Sequence, residues 1–253
     1  MARSGQVSRA VRWLGTAPRG ATCPQRFALD DGRQVFVKFS QNPQGERVLA
    51  NEFICSRFAA LVGAPVPEVM LVEVPDDLLD EARLAAACPS SFMGGIHAGA
   101  VVLSGAEAVP ISKIESTVRS VVNAADWAAL EIFDQIVKRD DKIEIITYRK
   151  LDGRRYFASI DYGFSFGGTP DWDRESLQGL DEPFLRYEGT ALCRQQEGMI
   201  AKLGELAPAM LLRVIEELAL PRFGITADLA DALARCVEAR SQFLAAEYER
   251  LCR

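Results

Sequence analysis

The sequence has few of the residues on which common hydrolase and metal chemistries depend. It contains one histidine, His97, in 253 residues. This excludes a metal site built from several histidines, and any Ser-His-Asp or Cys-His enzyme in which His97 is not the base. The six cysteines form no C-x-x-C motif, so a zinc or iron–sulfur site is not expected. The apolar runs are interrupted every few residues and never reach membrane-spanning length.

Positive charge is also in the minority. The chain has 29 basic and 35 acidic residues, which gives a net charge of -6. Nucleic acids bind to basic protein surfaces through their phosphate backbone, so we do not expect direct nucleic-acid binding. Membrane association is not expected either. A chain of this length can build a core without disulfide bonds, so the cysteines predict free thiols in a reducing, cytoplasmic compartment.

The first 29 residues are an exception, because they hold five arginines and no acid. This composition resembles a targeting peptide, but no apolar signal core follows the charges. The other interpretation is a folded segment that faces phosphate. We predict a strand and a phosphate-facing loop within residues 12–26, in which Arg19 and the backbone near Gly20 surround an anion.

Hydrophobic patterns predict β-structure in the first third of the chain and helices in the last half. The stretch RFALDDGRQVFVKF has the alternation of a hairpin, and PEVMLVEV has that of a strand. The stretch ERVLANEFICSRFAALVG has the pattern of a helix that ends at Gly63. The later helices are AADWAALEIFDQIVKR, ELAPAMLLRVIEELAL and ADLADALARCVEARSQFLAAEYERL. A second hairpin, KIEIITYRK-LDG-RRYFASID, lies between the first of these helices and the other two.

This order predicts an α+β protein with two lobes. Residues 1–74 form a small β-rich N-lobe, residues 75–116 a hinge and lid, and residues 117–253 a larger, mainly helical C-lobe. A ligand cleft is expected between the lobes.

Lys38 and Glu52 are the first candidate pair. Lys38 ends the second strand of the first hairpin, and Glu52 falls on the apolar arc of the helix that follows. A carboxylate among apolar side chains is costly unless it is paired, and Lys38 is the nearest partner. We therefore predict an ion pair inside the small lobe. Such a pair directs an ammonium at ATP phosphates in kinases, and the alternative is a structural ion pair without a ligand.

Two aspartates frame the second hairpin. Asp140 lies just before its first strand and Asp161 just after its second. Antiparallel strands bring these ends together, so one carboxylate can act as a base while the other holds a cation, as phosphoryl transfer requires. The alternative is that both are ordinary loop acids. A turn centred on Asp152-Gly153 predicts that Glu144 lies opposite Asp161.

These motifs, in this order, resemble the HipA-like kinases, in particular their short bacterial members. The resemblance spans roughly residues 10–170 and is carried by GTAPRGATCPQ, LDDGRQVFVKF, NPQGERVLANEF, GAPVPEV, FDQIVKRDD and FASIDYGFSFGG. It implies a kinase-like fold, the cofactors ATP and Mg²⁺, and a protein or small-molecule hydroxyl as the phosphoryl acceptor.

The resemblance also implies roles for particular residues. Lys38 corresponds to the lysine on the ATP phosphates and Glu52 to the helix acid that orients it. Asp140 corresponds to the catalytic aspartate and Asp161 to the magnesium aspartate. The phosphate-covering loop contains Arg19, Gly20 and Thr22. His97, in GGIHAG, has either a structural role or a place lining the cleft.

The chain departs from the family pattern at its metal site. The family usually shows Asn-x-Asp-Arg around the catalytic aspartate, where this chain has Lys138-Arg139-Asp140-Asp141, and KIEII lacks the later asparagine that binds a second magnesium. One hypothesis is that Glu144 replaces that asparagine and shares Mg²⁺ with Asp161; the alternative places Glu144 in solvent. The function is then either an active kinase, or a pseudokinase that binds nucleotide or a regulatory protein partner. An unrelated two-lobed binding protein is a third interpretation.

Overall fold

A computed structural model describes the chain over residues 7–17, 22–42, 44–85, 88–167, 171–180, 182–183, 190–206, 208–216 and 223–252. The strands are β1 (Ser8–Thr16), β2 (Gln25–Leu29), β3 (Gln34–Lys38), β4 (Val69–Val74), β5 (Gly95–Val101), β6 (Glu107–Ala108), β7 (Glu144–Arg149) and β8 (Arg155–Ile160). The helices are α1 (Arg47–Val62), α2 (Asp76–Leu84), α3 (Ile114–Val118), α4 (Asp126–Ile136), α5 (Arg174–Gln178), α6 (Thr190–Gly204), α7 (Pro208–Glu216) and α8 (Ala227–Cys252), with a 3₁₀ turn at Ile111–Lys113.

Five strands of the first hundred residues form a closed barrel in the order β1-β2-β3-β5-β4. The predicted first hairpin is confirmed, with Phe27 paired to Val35 across β2 and β3. Alternation directs Phe27, Val35 and Val37 into the barrel, where each is fully buried. The mixture of helices and strands is as predicted.

The segment expected to form a hinge and lid contributes to this barrel. Within residues 75–116, β5 pairs antiparallel with both β3 and β4. Its residue Ala98 lies opposite Lys38, and His97 lies opposite Val72. The predicted domain boundaries themselves stay a prediction.

Helix α1 follows the predicted bounds. It ends at Val62 because Gly63 takes a left-handed conformation (φ 85°), and the Gly63 N–H donates to the Ala59 carbonyl. Most of its length is buried, in a core shared with α4, α6, α7, α8 and the β7–β8 hairpin. The helix is therefore held between the barrel and the helical part of the chain.

The second hairpin forms, but its predicted register is wrong by one residue. Tyr148 lies opposite Tyr156, and Glu144 lies opposite Ile160 rather than Asp161. The turn spans five residues, 150–154, closed by a bond from the Lys150 N–H to the Arg154 carbonyl. The prediction assumed a two-residue turn at Asp152-Gly153, and this assumption shifts every predicted pair by one residue.

Helix α6 was not predicted. Its sequence, TALCRQQEGMIAKLG, has a glycine near its middle, which lowers the helix propensity of the stretch. Among the described residues, no helix combines the length and apolar character needed to cross a membrane.

Candidate active site

The Lys38 ammonium contacts two carboxylates at the rim of the barrel. Its Nζ lies 2.5 Å from Glu52 Oε1 on α1 and 2.9 Å from Asp161 Oδ1, directly after β8. The predicted Lys38–Glu52 ion pair is confirmed. Asp161 completes it from 123 positions further along the chain. The three groups therefore join the barrel, α1 and the second hairpin at one point.

Burial and charge act against each other in this cluster. Burial favours loss of the Lys38 proton, but the carboxylates of Glu52 and Asp161 outweigh it and raise the pKa of Lys38. Burial raises the pKa of Glu52, whereas at Asp161 it is outweighed by the Lys38 ammonium, which lowers the pKa. Lys38 is therefore a permanent cation and Asp161 a carboxylate at neutral pH. The Asp161 side chain is 41% exposed and faces solvent more than Glu52 does, at 12%.

Asp140 lies in a loop that runs alongside the segment after Asp161. The Phe166 N–H donates to the Val137 carbonyl at 2.7 Å, and the Asp140 N–H donates to the Phe164 carbonyl at 3.4 Å. These bonds place Asp140 and Asp161 at the same end of the β7–β8 hairpin. Asp140 is exposed, and its Oδ1 lies 3.5 Å from Lys138 Nζ.

Arg139 fixes this loop from inside. Its side chain is 1% exposed and donates to Asp141 Oδ1 at 3.1 Å, to Ser159 Oγ at 2.8 Å and to the Ile160 carbonyl at 2.9 Å. Its guanidinium also lies 4.7 Å from the centre of the Tyr162 ring. One side chain thus joins the Asp140 loop to the strand that ends at Asp161.

Arg240, on α8, holds the helix that leads into the same loop. Its buried guanidinium donates to the carbonyls of Gln135, at 2.5 Å, and Ile136, at 2.9 Å. Both carbonyls belong to the last turn of α4, where a cation interacts favourably with the helix dipole.

Helix α1 is tied to the segment after Asp161 by a buried polar chain. Asn51 Nδ2 donates to the Gly163 carbonyl at 2.7 Å, and Asn51 Oδ1 accepts from Trp172 Nε1 at 2.9 Å. Arg47 donates to the Trp172 carbonyl and lies 5.3 Å from its ring centre. Since Asn51 precedes Glu52, this chain fixes the helix that presents Glu52 to Lys38.

Gly163 permits this close approach, and Gly163→Ala is expected to lower the free energy of unfolding by about 1–3 kcal/mol. A β-carbon at this position would lie 2.7 Å from Val48 Cγ1 on α1, so the helix or the loop must shift. Chemical denaturation measures the effect. Gly198→Ala is the matched control: a β-carbon there meets nothing within 4 Å, so this helical site should gain about 0.5–1 kcal/mol. Equal stabilisation at both sites would contradict the close packing.

Comparison with known proteins assigns the chain to a family. The family model described as HipA-like kinase matches residues 11–145, over half of the chain. The chain belongs to the HipA-like kinase family. None of the curated proteins matches it in sequence.

Solved structures show that this HipA-like chain has a kinase fold. The Golgi casein kinase with Mn and ADP bound has a TM-score of 0.59 and 12% identity, covering 98% of this chain and 74% of that one. The Helicobacter pylori proinflammatory kinase CtkA has a TM-score of 0.58 and 11% identity, covering 96% and 98%. Hydra Fam20 with sugar has a TM-score of 0.56 and 14% identity, covering 99% and 88%.

The carboxylates of this HipA-like chain suit a cation that nucleotide phosphates help to hold. Magnesium in nucleotide sites commonly uses one or two carboxylates together with phosphate oxygens. Asp161 is available on the solvent side of the Lys38 cluster. Burial raises the pKa of Asp141, and the negative charge of Asp161 adds to this rise. Within the described ranges, no group of three or more His, Cys, Asp and Glu side chains could hold a metal by itself.

The remaining site predictions have mixed outcomes. Glu144 is exposed and does not face Asp161, so the register that suggested it as a magnesium ligand is corrected. Thr22 is 3% exposed, while Arg19 and Gly20 lie outside the described residues. The strand part of the arginine-bearing segment forms β1. His97 is buried, its Nε2 lies 3.0 Å from the Met93 carbonyl and its ring packs on Phe39, which is a structural position.

Sequence reasoning missed Asn51, Arg139, Trp172 and Arg240. Asn51 carried a usable signal, since it is an amide next to Glu52 in a helical stretch whose other residues from Val48 to Cys55 are apolar. Trp172 stands among polar residues in TPDWDRES and gave no indication of its partner. Arg139 and Arg240 are ordinary surface residues by sequence, and only the fold shows that they are buried.

Proposed function

We propose that this protein is an ATP-dependent phosphotransferase that acts on a hydroxyl group of a protein or small molecule. The observation that carries the proposal is the Lys38 ammonium held by both Glu52 and Asp161. A half-buried cation fixed by two carboxylates is a prepared contact for phosphate oxygens, since its position does not have to be organised when nucleotide arrives.

Each residue then has a defined task. Lys38 binds phosphate oxygens of ATP, and Glu52 keeps its ammonium in place. Asp140 orients the acceptor hydroxyl and receives its proton. Asp161 would hold a divalent cation, which supplies charge neutralisation on the phosphates when bound.

Lys38→Met is expected to weaken binding of a non-hydrolysable ATP analogue roughly ten- to a hundredfold, because a charge-assisted contact is lost. Isothermal titration calorimetry with Mg²⁺ measures the affinity. Lys113→Met, an exposed lysine of the 3₁₀ turn, is the control and should bind as the wild type does. If Lys38→Met does not fold because Glu52 is left unpaired, the double variant with Glu52→Gln removes that carboxylate. Unchanged affinity in a folded variant would reject Lys38 as the phosphate contact.

Transfer of radiolabelled γ-phosphate to water or to the protein itself separates an active kinase from a pseudokinase without knowledge of the acceptor. One observation favours the pseudokinase. Glu144, the candidate replacement for the metal-binding asparagine of the family, is exposed and lies opposite Ile160 rather than Asp161. Binding without ADP formation would support the pseudokinase, and no binding at millimolar nucleotide would reject both.

A further inference from the structure

Lys138 has a strained backbone next to the proposed base. Its φ is +45°, in the left-handed region that side chains other than glycine rarely adopt. The conformation is held by the loop, because the Lys138 N–H donates to the Gln135 carbonyl and the Lys138 carbonyl accepts from the Gly167 N–H, each at 3.4 Å. Such strain persists when the surrounding structure determines it, and it is concentrated at functional sites.

The side chain of Lys138 shares the surface of Asp140. Its Nζ lies 3.5 Å from Asp140 Oδ1, and the two side chains are 30% and 39% exposed. Lys38, by contrast, is held on the other side of the site by Glu52 and Asp161. The chain therefore presents one ammonium beside each of the two aspartates.

The negative charge on the transferring phosphoryl oxygens is stabilised by positive groups around them. In the described part of the chain there is no self-sufficient group of metal ligands, and Asp141 Oδ1 already accepts from Arg139. At this end of the site Asp140 carries a negative charge, and Lys138 places an ammonium beside it.

We propose that Lys138 is a catalytic residue whose ammonium binds the phosphoryl group while it moves from ATP to the acceptor. This inference rests on the proposed phosphotransferase function. In the step, the acceptor oxygen forms a bond to the γ-phosphorus as the bond to the bridging oxygen breaks. The hydroxyl proton passes to the Asp140 carboxylate, and ADP leaves with the electron pair of the broken bond. Lys138 keeps its protons and stabilises the charge on the transferring oxygens.

The test compares Lys138→Met with Lys142→Met. Lys142 stands two residues after Asp140, as Lys138 stands two before it, and it is exposed. Lys138→Met should lower kcat about a hundredfold, with the affinity for a non-hydrolysable ATP analogue unchanged within about twofold, since the contact belongs to the transition state. Lys142→Met should change neither quantity, and Lys138→Arg should restore part of kcat because it keeps the charge.

A binding measurement gives a second readout that does not depend on turnover. ADP with aluminium fluoride and Mg²⁺ imitates the phosphoryl group in transfer, and Lys138→Met should bind it about tenfold or more weakly than the wild type. Equal weakening for this complex and for the ATP analogue would make Lys138 a ground-state contact and overturn the proposal. No weakening of either, with wild-type kcat, would also overturn it. A wild-type protein that binds nucleotide without transferring phosphate would instead reject the proposed phosphotransferase, and this inference with it.

Discussion

Asp161→Asn is expected to remove the strengthening of nucleotide binding by Mg²⁺ and to lower phosphoryl transfer about a thousandfold. Asparagine keeps the size of the side chain but removes the charge that a divalent cation requires. Lys38 also loses its 2.9 Å contact with Asp161 and remains with Glu52 alone. Metal-free binding of ADP should therefore be retained or become tighter, since Lys38 is released for phosphate.

Calorimetric titrations of nucleotide with and without Mg²⁺ measure this effect, and transfer of labelled phosphate measures the rate. Glu144→Gln provides the comparison, because Glu144 is exposed and lies opposite Ile160. It should retain the magnesium dependence of the wild type. If both variants lost that dependence equally, Glu144 would be a ligand and the hairpin register would need revision.

Arg139→Met is expected to give the largest loss of stability, about 3–5 kcal/mol. The side chain is 1% exposed and its guanidinium bonds link Asp141, Ser159 and the backbone at Ile160. Methionine fills part of the volume but leaves these acceptors, including a carboxylate, without their donor. Arg139→Lys should recover only part of the loss, since an ammonium does not reproduce the planar fork.

Denaturant unfolding followed by fluorescence measures this difference. Arg154→Met is the control: its side chain is 63% exposed and pairs with Asp152 at the turn of the same hairpin. A surface pair of this kind contributes little, so the control should unfold close to the wild type. A similar, small effect of both substitutions would contradict the structural role of Arg139.

The sequence predicted the Lys38–Glu52 pair because both signals are local. Strand alternation placed Lys38, and helical periodicity placed Glu52 on an apolar arc where a carboxylate needs a partner. The same local reasoning failed at the second hairpin. A five-residue turn shifts the register by one position, and one position is enough to move Glu144 away from Asp161.

The supporting contacts of the site were outside the reach of sequence patterns. Asn51 and Trp172 are bonded across 121 positions, and Arg240 reaches Ile136 across 104. No periodicity encodes such distances, because they depend on how α1, α4 and α8 pack. The contact of Lys38 with Glu52 was therefore predictable, whereas the long-range contacts that support the candidate site were not.

The contact of Arg240 with α4 has a consequence for the order in which the site is completed during synthesis. The ribosome makes Gln135 and Ile136 long before Arg240, and domains start to fold from the N-terminal side. A nascent chain that stops short of residue 240 carries Lys38, Asp140 and Asp161 but lacks the guanidinium that holds the end of α4. The loop containing Asp140 thus receives this support only after α8 has left the ribosome.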